Sequence, residues 1–494
     1  MRLDEGLGEA SDTTIAVPVA QGKESAHLTV TVSAPGFDVL GPRTQSMVIK
    51  RKHDPRAEQT EFHLLARNPG IKPLKKEIRA DFWLDNSCIG SATFVTVVKP
   101  KSYSGASLPK SPSSSEPVTI SSLGRQDCDL VIGVTRDVHE KGENYEIVLH
   151  SRVPGHSYDF KAAGTFELEG TDLAAYLKEM IDPKFQTYPA DDPKLSDEEF
   201  AAALKAWGAQ FVDWLRDIGR QLWEFLPKEF REEYLKLQNA SYPPSSVLVH
   251  SDEMVFPWEL VVPWSVENGH TELPSLGVAH ILGRWQPGLG LRPDPQKLQV
   301  QKFLIINPTY DQNELEWTAA EIRALQQLFP NSEVLVPADL QALQRVLDRS
   351  DLQIVHFSGH GTYDTTTNAD LSALLLEKNT VLPAITIVGK KLGAAHPILY
   401  LNACSVGRVG MVVGRMGGFA ANCLKSGWSG VIAPYWPIND ESARDFSASL
   451  YEKLKLGRSI GEAIQELRVE HPNDPTFQAY SYIGDPWTRA LFAQ

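Results

Sequence analysis

The chain has 494 residues, a formal net charge of −14 and an apolar share of 42%. That length exceeds one ordinary core and predicts about two to four domains of soluble, globular type. An acidic chain repels phosphate backbones, which argues against nucleic acid as a direct partner. No run approaches the ~18 consecutive apolar residues of a membrane span, so no membrane partner is expected.

The segment 1–13 is acidic and lacks the apolar centre of a secretion signal. The cysteines Cys88, Cys128, Cys404 and Cys423 show neither a C-x-x-C pair nor metal-ligand spacing. We therefore expect a cytoplasmic, reducing location in which a free thiolate survives, and no metal or other cofactor. Arg51, Lys52 and His53 form a small basic cluster that reads as a solvated loop.

Taken in chain order, residues 27–32 (HLTVTV), 45–49, 60–65, 78–84 and 92–98 alternate apolar and polar between Gly, Pro and Asn turns. Short strands at regular spacing predict an all-β, immunoglobulin-like sandwich over residues 1–100, an interaction module with no nucleophile–base pair. Seven serines between Ser102 and Ser115, with Pro109, Pro112 and Pro117, make 101–117 a linker. Such a stretch has too little apolar area to offset chain entropy. A middle region, 118–244, begins with strand-like 129–134, 145–150, 157–160 and 164–168. It continues as a helix opened by a Ser196/Glu199 capping box and striped by Phe200, Leu204, Trp207, Phe211, Trp214, Leu215, Ile218, Leu222 and Phe225.

From residue 245 the rhythm becomes α/β. Apolar strands at 247–250, 302–307 (KFLIIN), 333–336, 353–357 (QIVHF), 397–402 (PILYLN) and 430–435 (GVIAPY) alternate with helices at 316–328, 340–347 and 418–426. That order predicts a mostly parallel sheet with right-handed crossovers.

Ligands and substrates of such sheets gather beyond the carboxyl ends of the strands. Two strands here end in reactive groups: one runs into Ser358-Gly359-His360-Gly361, another into Ala403-Cys404-Ser405. The 44 positions between His360 and Cys404 leave room for an excursion before the next parallel strand. A thiol of pKa near ~8.5 is mostly protonated at neutral pH, and an adjacent imidazole can take its proton and later protonate a leaving amine. Backbone N–H groups of Gly361 and Cys404 are candidate donors to the oxyanion. Cys423 reads as core, and Cys88 and Cys128 as inert. His356 shares a strand face with Ser358 and His360, and reads either as a satisfied core histidine or as a support of the site. Trp258 reads as packing.

HFSGHG at 356–361, LNACSVG at 401–407, GWSGVIAPYWPINDESA at 427–443 and YIGDPW at 482–487 together resemble a CHAT domain, a caspase-like peptidase relative of separase. MVFPWELV at 254–261 is similar to the stretch that precedes that peptidase core, so the resemblance covers roughly 245–494. It implies a caspase-like α/β fold and metal-free proteolysis of a protein substrate by a His360–Cys404 dyad. It also implies a role in bacterial immunity, such as antiviral defence, or in cell death. Activation would come from a partner protein or an upstream protease, and Lys390, Lys391, Arg408 and Arg415 are candidate processing sites. Val406 departs from the serine common in relatives. The lack of a Q-A-C-x-G pattern means that aspartate specificity is not implied.

Asp440 lies in the W-x-x-x-D segment 436–440, where separase-like relatives carry an acidic residue associated with arginine preference. Two readings of Asp440 stand side by side: the floor of a pocket for a basic residue, or the cap of a helix starting near 441. Two other functions compete with the peptidase. One is a catalytically silent scaffold or interaction protein; the other is an acyl hydrolase or transferase using the same thiol.

Overall fold

The computed structural model describes residues 25–50, 60–67, 73–84, 87–99, 114–115, 126–139, 142–167, 173–185, 187, 189, 196–266, 271–288, 296–310, 317–362, 372–403, 410–412 and 415–492. The stretch expected as a linker, 101–117, falls outside these except for Ser114–Ser115.

Near the N-terminus the alternating segments form antiparallel sheets. Thr44–Lys50, Ser25–Ser33, Leu74–Leu84, Ser87–Val98 and Ser114–Ser115 lie side by side in that order. A separate pair, Phe37–Leu40 with His63–Ala66, is also antiparallel. The inward positions Val30, Val32, Phe37, Ile78, Ala80 and Val98 make a small core, as period-two alternation requires.

The second sheet has eleven strands. Their order is Tyr158–Glu167, Gly142–Ser151, Leu130–His139, Ser246–Ser251, Ile281–Trp285, Tyr480–Gly484, Gly430–Pro434, Ile398–Asn402, Ile354–Ser358, Phe303–Ile306 and Glu333–Leu335. The three strands of the middle region thus extend this sheet: Leu130–His139 pairs in parallel with Ser246–Ser251. Parallel pairing dominates, as expected. Three steps are antiparallel: the two that join Tyr158–Glu167, Gly142–Ser151 and Leu130–His139, and the one where Tyr480–Gly484 runs against Gly430–Pro434. The sheet therefore holds two parallel blocks pointing opposite ways.

Strands such as Phe303–Ile306 and Ile398–Asn402 are buried at every position because helices cover both faces. On one face, Ile305, Ile354, Ile398 and Ile432 pack on Leu325, Phe446, Leu450 and Leu467. On the other, Leu304, Val355, Leu399 and Val431 pack on Leu343, Val346, Phe419 and Leu424. The long helix Asp197–Phe225 carries the expected capping box, and Phe211, Leu215, Ile218 and Leu222 of its stripe are core. Phe225, at the end of the stripe, is exposed.

Arg79 of the N-terminal sheet reaches Asp81 at 2.9 Å and Asp252, just after Ser246–Ser251, at 2.7 Å. Trp83 packs on Phe160 and His250, with ring centroids 4.9 and 5.0 Å away. No helix among the described residues is long and apolar enough to cross a membrane.

Candidate active site

The strands expected to deliver the reactive groups are direct neighbours. Ile354–Ser358 pairs in parallel with Ile398–Asn402, with Ser358 opposite Asn402. The Gly359 N–H donates to the Asn402 carbonyl at 3.1 Å, carrying the pairing one residue further. His360 follows at once. Cys404 lies outside the described residues, which resume the chain at Gly410; Ala403, just before it, is buried. The strand Gly430–Pro434, expected beside the cysteine strand, pairs with Ile398–Asn402 in parallel.

The backbone of His360 is held at both polar groups. Its N–H donates to the Tyr310 hydroxyl at 2.9 Å, and its carbonyl accepts the Leu375 N–H at 2.9 Å. The same hydroxyl donates to the Leu375 carbonyl at 2.9 Å, and the Tyr310 ring sits 4.7 Å from the imidazole. Burial pushes the Tyr310 phenol up to about 12, so it remains a protonated donor. Gly359 permits this brace: a Cβ there would meet the Tyr310 hydroxyl at 2.5 Å and the Phe357 ring at 3.0 Å. Gly361 begins the short strand Gly361–Thr362, opposite Leu374 in Ala373–Leu375.

Beneath the two strand ends lies a buried carboxylate that pattern reading missed. Glu321, 1% exposed on the helix Thr318–Leu328, accepts from Ser358 Oγ at 2.6 Å and Ser447 Oγ at 2.5 Å. It also accepts from Asn402 Nδ2, at 2.9 and 3.1 Å to its two oxygens. The Tyr480 hydroxyl donates to Asn402 Oδ1 at 2.8 Å. Burial by itself would raise the Glu321 pKa. The adjacent His356 ring and the hydrogen bonds from Ser358 and Ser447 more than offset that and hold it below the usual carboxylate value. One sequence signal was available: Thr318, Glu321 and Leu325 share the buried face, so a glutamate occupies an inward position of an amphipathic helix.

His356 lies in this network. The ring is fully buried, stacked on Tyr400 at 4.7 Å, with Nδ1 3.2 Å from the Tyr451 hydroxyl. Its Nε2 stands 3.2 Å from Glu321 Oε1, off the line of a hydrogen bond.

The cap reading of Asp440 needs correction. The helix is Asp440–Lys455, and its N-cap is Asn439, whose side chain accepts the Ser442 N–H at 2.9 Å. Asp440, half-buried, is the first helical residue, and its Oδ2 accepts the Trp317 N–H at 2.8 Å. Trp258 is fully buried packing, with ring centroids 5.0 Å from Phe256 and 5.9 Å from Phe230. Cys88, Cys128 and Cys423 are buried free thiols, and burial raises the pKa of Cys423 well above its ordinary value. Among the described residues no group of three or more His, Cys, Asp or Glu side chains forms a metal-holding cluster. Lys390 stands 3.9 Å from Asp348 and Lys391 is exposed. Arg408 and the Arg415 side chain fall outside the described set.

Residues 288–489 match the family model of the CHAT domain, a span that begins later than the 245 expected and contains His360, Cys404 and Asp440. Comparison with curated proteins finds no match. Among solved structures, a Saccharomyces cerevisiae separase–securin complex at 2.6 Å is similar at 13% identity and TM-score 0.44, covering 74% of this chain. The same complex at 3.0 Å is similar at 11% identity and TM-score 0.44, covering 72%. The chain spans 30% of the length of the matched chain in both. A structure described as "Structure of Protease" is similar at 12% identity and TM-score 0.38, covering 63% of this chain and 76% of that one. Over residues 288–489 the chain is thus similar to the CHAT domain.

Proposed function

We propose that this chain is a caspase-like cysteine endopeptidase in which Cys404 is the nucleophile and His360 its general base. The observation that carries the reading is the register: Ser358 pairs with Asn402 on adjacent parallel strands. His360 and Cys404 each come two residues after that pair, at the carboxyl ends where such sheets bind substrates.

The chemistry then runs as acyl transfer. His360 takes the Cys404 thiol proton, and the thiolate adds to the scissile carbonyl. Backbone N–H groups of Gly361 and Cys404 hold the oxyanion. The Gly361 N–H takes no part in the neighbouring rung, which joins the His360 carbonyl to the Leu375 N–H. Collapse expels the amine, protonated by His360, and leaves a thioester. Water, deprotonated by His360, hydrolyses it and restores the thiol.

In this proposal the substrate is a protein cut after a basic residue, with Asp440 at the pocket, and the protease acts in the cytoplasm. It is regulated by an activating protein or upstream protease, in bacterial immunity or cell death, with Lys390, Lys391, Arg408 and Arg415 as candidate processing positions. The N-terminal antiparallel sheets serve as an immunoglobulin-like recruiting module. The decisive experiment is peptide-library profiling of the wild type against Cys404→Ala and His360→Ala. Both variants are expected to fold and to lose cleavage to background, because the two groups act as a unit. Full activity in either variant rejects the dyad; a wild type inactive under every activating condition favours a scaffold.

A further inference from the structure

We infer that Glu321 is the positioning residue that sets the spacing of the two reactive groups, an inference that rests on the reading of His360 and Cys404 as the catalytic pair. Ser358 and Asn402 are register partners on adjacent strands, and both donate to this one carboxylate. Each stands two residues before a reactive group. The carboxylate therefore acts as a staple across the strand ends, placed where the chain turns out of the sheet on both sides.

Chemistry requires an acid at this point. Ser358, Asn402 and Ser447 all present donors, and only an ionised carboxylate accepts on every face. Turning the Asn402 amide round would forfeit the bond its Oδ1 receives from the Tyr480 hydroxyl, which would have to accept instead of donate. A buried charge is poor value for stability alone, since well-packed apolar residues do as well or better. What a fully satisfied buried network supplies is one geometry. Two helices converge on the staple, Thr318–Leu328 through Glu321 and Asp440–Lys455 through Ser447, so the strand ends are referenced to the helical layer.

The test uses the full chain with three variants: E321Q, N402D and the swap E321Q/N402D. A glutamine at 321 replaces one of the two oxygens that Asn402 Nδ2 reaches by an N–H₂, which sets donor against donor there and loosens the staple. An aspartate at 402 faces a second carboxylate. The double variant restores a donor–acceptor pair with the polarity reversed and the net charge kept. Melting temperature, kcat and KM for a cleaved peptide, and the pH dependence of Cys404 alkylation by iodoacetamide are measured for each. For E321Q we expect kcat to fall about tenfold or more with KM within about twofold, the signature of misplaced reacting groups. The alkylation profile should move to higher pH as the thiolate loses its imidazole partner. The swap should recover kcat and the profile.

A folded E321Q with wild-type kcat and alkylation overturns the inference, as does a swap that restores melting temperature without restoring kcat. Should E321Q not fold, S358A removes one arm of the staple, and unchanged kcat there overturns it equally. Failure of the peptidase reading is separate: it shows as activity retained in Cys404→Ala, whatever E321Q does, and it removes this inference with it.

Discussion

The Asp440 carboxylate accepts the backbone N–H of Trp317 at 2.8 Å and so joins the first turn of Asp440–Lys455 to the start of Thr318–Leu328. A negative charge between two helix N-termini is favourable at both. Asp440→Ala should cost about 2 kcal/mol, the scale of a hydrogen bond to a charged group. Asp440→Asn keeps an acceptor for Trp317 and removes the charge. We expect its melting temperature to fall only by the small charge–dipole contribution, while kcat/KM for arginyl substrates falls about tenfold or more because a charge-assisted contact is lost. Steady-state kinetics on paired arginyl and leucyl peptides check this; an unchanged preference in Asp440→Asn removes Asp440 from the pocket.

Tyr310 accepts the His360 N–H, donates to the Leu375 carbonyl and lays its ring beside the imidazole. Tyr310→Phe leaves both groups without the hydroxyl and keeps the ring against the imidazole. Stability should fall by about 1 kcal/mol. With the imidazole displaced, kcat should fall about tenfold while KM holds. Denaturant unfolding and steady-state kinetics on one preparation separate the two effects. A kcat equal to wild type would show that the brace does not set the imidazole.

Arg79 is 8% exposed at its side chain and paired with Asp81 and Asp252, which links the N-terminal sheet to the large one. Burial opposes its charge, and the two carboxylates more than offset this and raise its pKa. Arg79→Ala strands Asp81, itself buried, and should cost about 3–5 kcal/mol, as broken buried pairs do. Equilibrium unfolding measures the loss, and a double-mutant cycle with Asp252→Asn should show coupling. Additive effects would mean that the two sheets are joined chiefly by other contacts, such as those of Trp83 and the Arg43–Glu146 pair.

The Glu321 pKa is depressed in the folded protein relative to its ordinary 4.5. The sign follows: its contribution to stability is complete above pH 4.5 and is lost as pH falls below that through the folded value. Glu321→Gln cannot titrate. The gap in melting temperature between wild type and Glu321→Gln should therefore be widest near neutrality and narrow below pH 4.5. Thermal scans from neutral to strongly acidic pH follow this, and a gap constant with pH would contradict a charged Glu321 in the fold.

Much of this architecture is local chemistry that a reader of the chain can follow. Continuous apolar runs such as FLII at Phe303–Ile306 bury on both faces and become central parallel strands. The Ser196/Glu199 box starts the long helix where it should. The small, polar ends of two such strands are what single out His360 and Cys404 as candidates. Short-range pattern does not carry the order of strands. Residues 130–167 join the large sheet, and Tyr480–Gly484 reverses its polarity, through pairings between residues tens to hundreds of positions apart. Glu321 is the clearest case. In the chain it is one glutamate on an amphipathic helix. It becomes the acceptor for Ser358, Asn402 and Ser447 only because two strands and two helices meet there, and a buried charge is tolerable only where the fold surrounds it with donors. Asp440 likewise could be placed at a helix start from sequence, but its bond to Trp317, 123 residues away, exists only once the helices pack.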